Sequence, residues 1–373
     1  MLTVGRSSAL VALLLSFLIL GAALVDASPQ RGNGRNRGGN RGGNRGATRG
    51  GTRGGNRGGN ANGNAGGNNN NAQPQTAQEQ AAQIPGGISQ ATDGSTILDM
   101  TVDINNLPIR FKVSAAAADF TTLTDVTGAT QDPNTPGTQG LNVLLHGDGG
   151  QSFFDFPNQG VLSNLAGVAV LAPDPNLFWG GGQGLDRTDG VAHAQAVNDL
   201  ILDVLPQVLS FNSSNVFFTG VSGGALLMSG FFVPAHGANF AGNGVLLNCG
   251  ALAPQVDVVD AATVGATTRI HFQSTQDELA SLQQSIPEAI VAYEQIAADA
   301  GLSAAEVNAL QTVDNTPNGG HCEFDGRDFV DGIQLIADNF ATIMQGGDGE
   351  VNGIGNVLTG VVGNEQLVFA GGA

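Results

Sequence analysis

Short apolar runs alternate along the chain with longer segments in which apolar residues recur at helical spacing. The runs are typical of buried strands and the longer segments of amphipathic helices. Strands are predicted at 141–145, 168–171, 216–219, 244–249 and 269–273, and helices at 190–209, 279–300 and 329–344. Two alternating segments before them, 96–104 and 107–113, predict an antiparallel hairpin. This order predicts an α/β domain with a mostly parallel central sheet and helices on both faces.

A candidate nucleophile follows the strand predicted at 216–219. The next five residues, 220–224, read Gly-Val-Ser-Gly-Gly, and a helix-like segment begins at Ala225. A G-x-S-x-G string between a strand and a helix is typical of a nucleophile elbow, the sharp turn that exposes a catalytic serine. Glycine suits such a turn because it accepts unusual backbone angles. Ser222 is the predicted nucleophile, and a serine in a glycine turn without catalytic function is the alternative.

The candidate base is a histidine that occurs late in the chain. A serine hydroxyl is a poor nucleophile until a base removes its proton. Of the five histidines, His321 alone lies in a Gly-rich loop after the candidate acid. The order nucleophile, acid, histidine is that of α/β hydrolases and differs from the orders in chymotrypsin and subtilisin. His321 is therefore the predicted base.

The acid that would orient this histidine is less sharply defined by the sequence. Asp277 follows the strand predicted at 269–273 by the few residues that the motif order requires, and it is the predicted acid. Glu278 is adjacent to it and could also reach the histidine. Asp314 is nearer to His321 in the sequence and is the main rival.

An oxyanion-binding loop is predicted after the first central strand. Residues 146–150 read His-Gly-Asp-Gly-Gly, directly after the strand at 141–145. The backbone N–H groups of Gly223 and Asp148, with Gly149 as the substitute, are the predicted oxyanion donors. The carboxylate of Asp148 is expected to turn away, because a negative charge facing the oxyanion would oppose it. A plain Gly-rich turn is the alternative.

The ends of the chain differ in composition from its centre. Residues 1–27 predict a secretory signal peptide, with Arg6 before an apolar segment and Val-Asp-Ala as a small-x-small cleavage site. We expect a secreted protein, extracellular or associated with the cell wall, with no membrane segment after signal removal. Residues 28–90 predict a disordered arm rich in Arg, Gly and Asn, because it holds almost nothing apolar to bury. A catalytic domain at 91–350 and a C-terminal tail at 351–373 complete the predicted organisation.

Charge is divided unevenly between the arm and the domain. Eight of the 14 basic residues lie in 31–60, whereas residues 86–373 hold five basic and 30 acidic residues, a formal charge of −25. Such a surface repels nucleic acid and anionic lipid, so a nucleic-acid partner is disfavoured. The Arg-rich arm is interpreted as a solvated spacer, and binding to an anionic cell-wall polymer is its functional alternative.

Two further features agree with secretion. The chain has two cysteines, Cys249 and Cys322, and a pair in a secreted protein usually forms a disulfide. That bond would fix the loop of the predicted base, and two free buried thiols are the alternative. Asn212 begins an Asn-Ser-Ser glycosylation sequon.

Taken together, these motifs resemble those of the α/β-hydrolase superfamily over residues 95–345. The likeness is greatest to secreted esterases of the feruloyl-esterase and polyhydroxybutyrate-depolymerase type. It rests on the strings at 146–150 and 220–224, on Asp277, and on His321 followed by Cys322. The resemblance implies an α/β-hydrolase fold and hydrolysis of a small-molecule or polymer ester through an acyl-enzyme, with no metal and no organic cofactor.

Two other functions fit the same motifs. A serine exopeptidase or amidase would use the same three side chains, and a secreted wall or matrix protein could use the domain as a non-catalytic scaffold. Trp179, Phe153 and Phe154 are candidates for the walls of a substrate pocket, with core packing as the alternative for each.

Overall fold

The computed structural model describes residues 86–150, 153, 162–326, 339–344, 367 and 369, apart from the side chains of Leu162 and Thr342. All of them belong to one unit, which spans 71–373. The predicted signal peptide, the arm before residue 86, the helix before residue 339 and nearly all of the C-terminal tail lie outside the described residues. Phe154 lies outside them as well.

Nine strands of the described residues form one sheet in the order β1-β2-β3-β5-β4-β6-β7-β8-β9. The first three are paired antiparallel, β5 pairs antiparallel with β3, and the remaining pairs from β5 to β9 are parallel. The strands are β1 Gly87–Gln90, β2 Thr96–Ile104, β3 Leu107–Ala115, β4 Gly140–Leu145, β5 Leu165–Val170, β6 Val216–Val221, β7 Gly244–Asn248, β8 Arg269–Gln273 and β9 Gln311–Asp314.

The helices follow the parallel strands. They are α1 Gly190–Asp199, α2 Leu205–Val208, α3 Gly223–Leu227, α4 Val233–His236, α5 Ala261–Thr267, α6 Ala280–Asp299, α7 Ala304–Leu310 and α8 Phe340–Met344. Single π-helical turns, Leu200–Val204 and Met228–Phe232, join α1 to α2 and α3 to α4. Helix α6 continues through Pro287.

Side chains of the central strands alternate between two apolar layers, as the two-residue period of a strand requires. In β6, Val216 and Phe218 join the large core that also contains apolar residues of α1, α5 and α6. Phe217 faces the other way and packs on Phe340 of α8, with ring centroids 5.4 Å apart. Both faces of the sheet therefore carry helices, and the predicted α/β-hydrolase fold class is confirmed.

The start of the domain differs from the prediction. Strand β1, Gly87–Gln90, lies in the range assigned to the arm, but it pairs with β2 from Gly87 opposite Asp99 to Gln90 opposite Thr96. The backbone of a polar segment can complete a sheet edge without burying many side chains, so its composition did not reveal it. The boundary at residue 90 is therefore corrected to one before residue 87.

The parallel strands place four loops at one edge of the sheet. Strands β4, β6, β8 and β9 run in the same direction, so the loops after Leu145, Val221, Gln273 and Asp314 leave from the same side. In open α/β sheets this edge is where ligands bind. In the part of the chain that the structure describes, no helix has both the length and the apolar character needed to cross a membrane.

Candidate active site

Ser222 occupies a strained turn between β6 and α3. Its φ and ψ angles are 48° and −113°, in a region that residues other than glycine rarely adopt. The turn is fixed from both sides, because the Ser222 N–H donates to the carbonyl of Asn248 at 2.8 Å and Leu226 N–H donates to the carbonyl of Ser222 at 3.0 Å. The strain presents the hydroxyl at the end of the sheet, as a nucleophile elbow does.

The glycines of the elbow are required by close backbone contacts. A Cβ on Gly220 would lie 2.7 Å from the backbone of Ala225, and one on Gly224 would overlap the carbonyl oxygen of Leu145. Gly223 has no room for a side chain either, because a Cβ there would overlap the carboxylate of Asp148. The sequence Gly-x-Ser-Gly-Gly is therefore the one that lets β6, α3 and the 146–150 loop approach one another.

His321 is in hydrogen-bonding contact with the serine. Its Nε2 lies 2.9 Å from the Ser222 Oγ, although the two residues are 99 positions apart. About a quarter of the imidazole surface is exposed, so the pair lies at the mouth of the site. This distance is within the range in which a histidine can remove a proton from a serine.

The carboxylate that contacts the other ring nitrogen belongs to Glu278. Its Oε1 pairs with His321 Nδ1, and the same oxygen accepts a hydrogen bond from Leu279 N–H at 2.8 Å. Its side chain is fully buried. The prediction of Asp277 as this partner is wrong, and the neighbouring residue that the sequence left as an alternative holds the position.

The direction of the 274–278 loop explains this correction. The Asp277 backbone N–H donates to the carbonyl of Gly319 at 3.2 Å, which brings the backbone of the loop against the histidine loop, while the Asp277 residue is exposed. Glu278 follows with its side chain fully buried and in contact with the imidazole.

Asp314, the other alternative, is buried at the end of β9. Its Oδ1 accepts hydrogen bonds from Thr316 N–H at 2.8 Å and Thr316 Oγ1 at 2.7 Å, and its Oδ2 accepts one from Gln273 Nε2 at 3.1 Å. Burial raises the pKa of this carboxyl, and the hydrogen bonds from Thr316 and Gln273 oppose that shift. Asp314 thus joins the ends of β8 and β9, and its described contacts do not include the imidazole.

A disulfide fixes the histidine loop to the strand beside the elbow. Cys249 and Cys322 are bonded, as predicted, with Cα atoms 5.4 Å apart, and both residues are fully buried. Cys322 follows His321 directly, and Cys249 follows β7, whose last residue accepts the hydrogen bond from Ser222 N–H. Thr275 Oγ1 also donates to the Gly320 carbonyl at 2.9 Å. The acid loop and the base loop are therefore held to each other and to the nucleophile.

The loop at 146–150 is shaped by His146. Ala172 N–H donates to its Nε2 at 2.9 Å, so Nδ1 carries the proton and donates to the Gly147 carbonyl at 2.6 Å. Complete burial lowers the pKa of this imidazole to about 4, and the ring is therefore neutral at pH 7. Its role is to hold the loop.

The three predicted oxyanion donors differ in availability. Within the described residues, no hydrogen bond uses the backbone N–H of Asp148 or of Gly223, the first residue of α3. The Gly149 N–H instead donates to the Leu177 carbonyl at 3.1 Å. Gly149 is therefore removed from the candidate donors, because its amide already has a partner.

Arg187 is a residue of the site that sequence reasoning missed. It forms a forked ion pair with Asp148, with Nη1 2.9 Å from Oδ1 and Nη2 2.7 Å from Oδ2. The Asp148 side chain is 23% exposed, whereas that of Arg187 is 2% exposed. The available signal was its rarity, since it is one of only five basic residues in 86–373.

The remaining predicted residues are core or turn residues. Trp179 and Phe153 are fully buried, so they belong to the core and do not line an open pocket. Asn212 lies in the turn before β6, and its Oδ1 accepts a hydrogen bond from Ser214 N–H at 3.0 Å. Its glycosylation stays a prediction. The described residues contain no group of three or more His, Cys, Asp or Glu side chains arranged to hold a metal ion.

Comparisons with known proteins were made for families, for curated proteins and for solved structures. No protein family and no curated protein matches the chain. The solved structures that resemble it include a feruloyl esterase module from Clostridium thermocellum complexed with sinapinate, at 11% identity and a TM-score of 0.40, covering 67% of this chain and 88% of that one. An arylesterase gives 9% identity and a TM-score of 0.42, with 71% and 88% covered.

A thermostable carboxyl esterase from Bacillus coagulans, complexed with glycerol, gives 11% identity and a TM-score of 0.37, with 66% of this chain and 98% of that chain covered. All three are esterases, the class of enzyme that the sequence motifs resemble. At these identities the likeness is partial, and the fold assignment rests on the strand order and helix placement described above.

Proposed function

We propose that the protein is a serine carboxylic-ester hydrolase that uses Ser222, His321 and Glu278. The observation that carries this proposal is the continuous contact from the Ser222 hydroxyl through the imidazole to a buried carboxylate. The strained elbow and the unused amides beside it add the two other parts that acyl transfer needs, an exposed nucleophile and oxyanion donors.

The reaction begins when the Ser222 Oγ attacks the ester carbonyl and passes its proton to His321 Nε2. Glu278 accepts the Nδ1 hydrogen bond, which fixes the tautomer and stabilises the imidazolium as it forms. Negative charge develops on the carbonyl oxygen beside the amides of Asp148 and Gly223. The imidazolium then protonates the leaving alcohol. Water next attacks the acyl group with His321 as the base, and the imidazolium returns a proton to Ser222 Oγ as the carboxylic acid is released.

The preference for esters comes from the resemblance of the motifs to secreted esterases. Secretion is part of the proposal, and the disulfide supports it because such bonds persist mainly in oxidising compartments. The expected substrate is a neutral or cationic ester, small or polymeric, since residues 86–373 carry a formal charge of −25. Adhesion of the Arg-rich arm to an anionic wall polymer remains a separate proposal.

Turnover of p-nitrophenyl esters by the purified protein tests the function. We expect Ser222→Ala to lower kcat by about 10⁵-fold or more while the protein stays folded, because nucleophile and base act as a unit. A fluorophosphonate probe should label the wild type at one site and leave the variant unlabelled. Peptide cleavage without ester turnover would favour an amidase, and a folded wild type that neither turns over esters nor reacts with the probe would refute catalysis.

A further inference from the structure

The Asp148 carboxylate faces the elbow, contrary to the expectation that it turns away. A side chain on Gly223 would overlap this carboxylate, so the carboxylate lies against the Cα of Gly223. Gly223 is also the residue whose amide is a candidate oxyanion donor. A negative charge therefore stands next to the position where the proposed reaction develops a second negative charge.

The surroundings of Asp148 show how this charge is compensated. Both carboxylate oxygens are occupied by the guanidinium of Arg187, and the arginine is fixed in turn by two backbone carbonyls. Its Nη1 donates to the Trp179 carbonyl at 3.0 Å and its Nη2 to the Gly184 carbonyl at 2.7 Å. A planar guanidinium suits this forked arrangement, and a lysine could not reproduce it.

Arg187 is thus a buried cation that is held in place by backbone carbonyls and paired with the Asp148 carboxylate. Its carboxylate partner belongs to the same residue whose N–H is a proposed oxyanion donor, so the fork that neutralises the charge also orients the amide. Two opposite charges in close contact cancel most of each other's electric field. An unpaired carboxylate at about 4 Å from a developing oxyanion would instead strongly oppose it.

We propose that Arg187 is a positioning residue for the oxyanion site. It neutralises the Asp148 carboxylate next to Gly223 and holds the Asp148 amide toward the reacting carbonyl. This inference rests on the proposed function and adds a charge requirement to it. Loss of the arginine alone should be more harmful to catalysis than loss of both charges.

The test compares Arg187→Met with the double variant Asp148→Asn/Arg187→Met. We expect the single variant to lower kcat about 100- to 1,000-fold, the range for loss of an oxyanion donor, with KM changed less than about threefold. The double variant lacks the same contacts to Trp179 and Gly184, but it has no unpaired carboxylate. Its kcat should be at least about tenfold higher than that of the single variant.

The chain offers a matched control in the buried pair of Asp99 and Arg110. Arg110 Nε lies 3.0 Å from Asp99 Oδ1 and Nη2 lies 2.8 Å from Oδ2, with both side chains 10% exposed. This pair joins β2 and β3, away from the elbow. Asp99→Asn should lower the thermal midpoint and leave kcat of the folded fraction within about twofold.

Two measures keep the test decisive. If Arg187→Met does not fold, Arg187→Gln keeps an N–H donor for the backbone carbonyls without the charge, and its double variant with Asp148→Asn gives the same comparison. The rate of phosphonylation of Ser222 is a second readout, because it needs the oxyanion site but no ester substrate. Failure of ester turnover with normal phosphonylation would therefore count against the proposed substrate class. The role of Arg187 would then be tested by the phosphonylation rates of the same single and double variants.

The inference is overturned if the single variant retains kcat and the phosphonylation rate within about threefold of wild type. The charge requirement is overturned if the double variant is as slow as the single variant, since Arg187 would then act only by holding the Asp148 amide.

Discussion

The two sides of the site are built in different ways. On the nucleophile side, residues 146–150 and 220–224, close backbone packing and glycines fix the turn, and the strain is contained within five residues of sequence. On the acid–base side, residues 274–278 and 314–322, the loops are fixed by a disulfide, by Asp314 and by hydrogen bonds between the loops. The comparison teaches that a rigid turn can be locally encoded, whereas the orientation of its partner requires contacts from distant segments.

Neutralisation of Glu278 should have the largest effect on kcat among the changes on the acid–base side. Glu278→Gln keeps the shape but removes the charge that stabilises the imidazolium, and we expect kcat to fall by about 10⁴-fold. Asp277→Asn, one residue away and exposed, is the matched control and should stay within about twofold. Steady-state kinetics on p-nitrophenyl esters measures both. The assignment of the acid would be reversed if Asp277→Asn were the slow variant.

Removal of the disulfide should have the next largest effect. The bond joins residues 73 positions apart, and the chain-entropy model gives roughly 4–5 kcal/mol for such a loop. We expect Cys249→Ser/Cys322→Ser to lose about that much free energy of unfolding in urea, and kcat to fall because the His321 loop loses its anchor. Wild type unfolded with reductant present should reach the same midpoint as the double variant. A loss below about 1 kcal/mol would show that the loop is held without the bond.

Acid should weaken the nucleophile side through His146. Burial lowers the pKa values of His146 and His271 to about 4 from an ordinary value of 6.5, so the unfolded chain binds more protons between those pH values. Stability is therefore present above pH 6.5 and is lost as pH falls toward 4, by about 3 kcal/mol for each histidine. The raised pKa of Asp314 acts in the opposite direction above pH 3.8.

Urea unfolding at pH 7, 5.5 and 4.5 measures this dependence. His271 lies in β8, with Nδ1 2.7 Å from Thr312 Oγ1 and Nε2 3.1 Å from Gln273 Oε1. His271→Gln should remove its own part of the pH dependence and leave the parts due to His146, His193 and His236, since burial also lowers the pKa values of the last two. An undiminished slope in that variant would assign the acid sensitivity to other groups.

The elbow and the order of the chemistry could be read from the sequence. Strand, Gly-x-Ser-Gly-Gly and helix are consecutive, and the glycines at 220 and 224 are required by close contacts with Ala225 in α3 and with Leu145 at the end of β4. The apolar run at 216–219 likewise indicated a buried strand, and Phe217 and Phe218 face opposite layers of the core. The sequence therefore sufficed for the fold class, for the elbow at Ser222, for its contact with His321 and for the pairing of the only two cysteines.

Only the tertiary structure decided three features of the site. These are the choice of acid, which candidate oxyanion amides are free of a partner among the described residues, and the ion pair beside them. Asp277 and Glu278 are adjacent in the sequence, and in the fold Asp277 is exposed while the Glu278 side chain is fully buried against the imidazole. The partner of Gly149 lies at Leu177, and that of Asp148 lies 39 residues away at Arg187. Local pattern records which backbone conformations a segment accepts, but the direction of a side chain and the occupancy of an amide depend on groups that only the folded chain brings within a few ångströms.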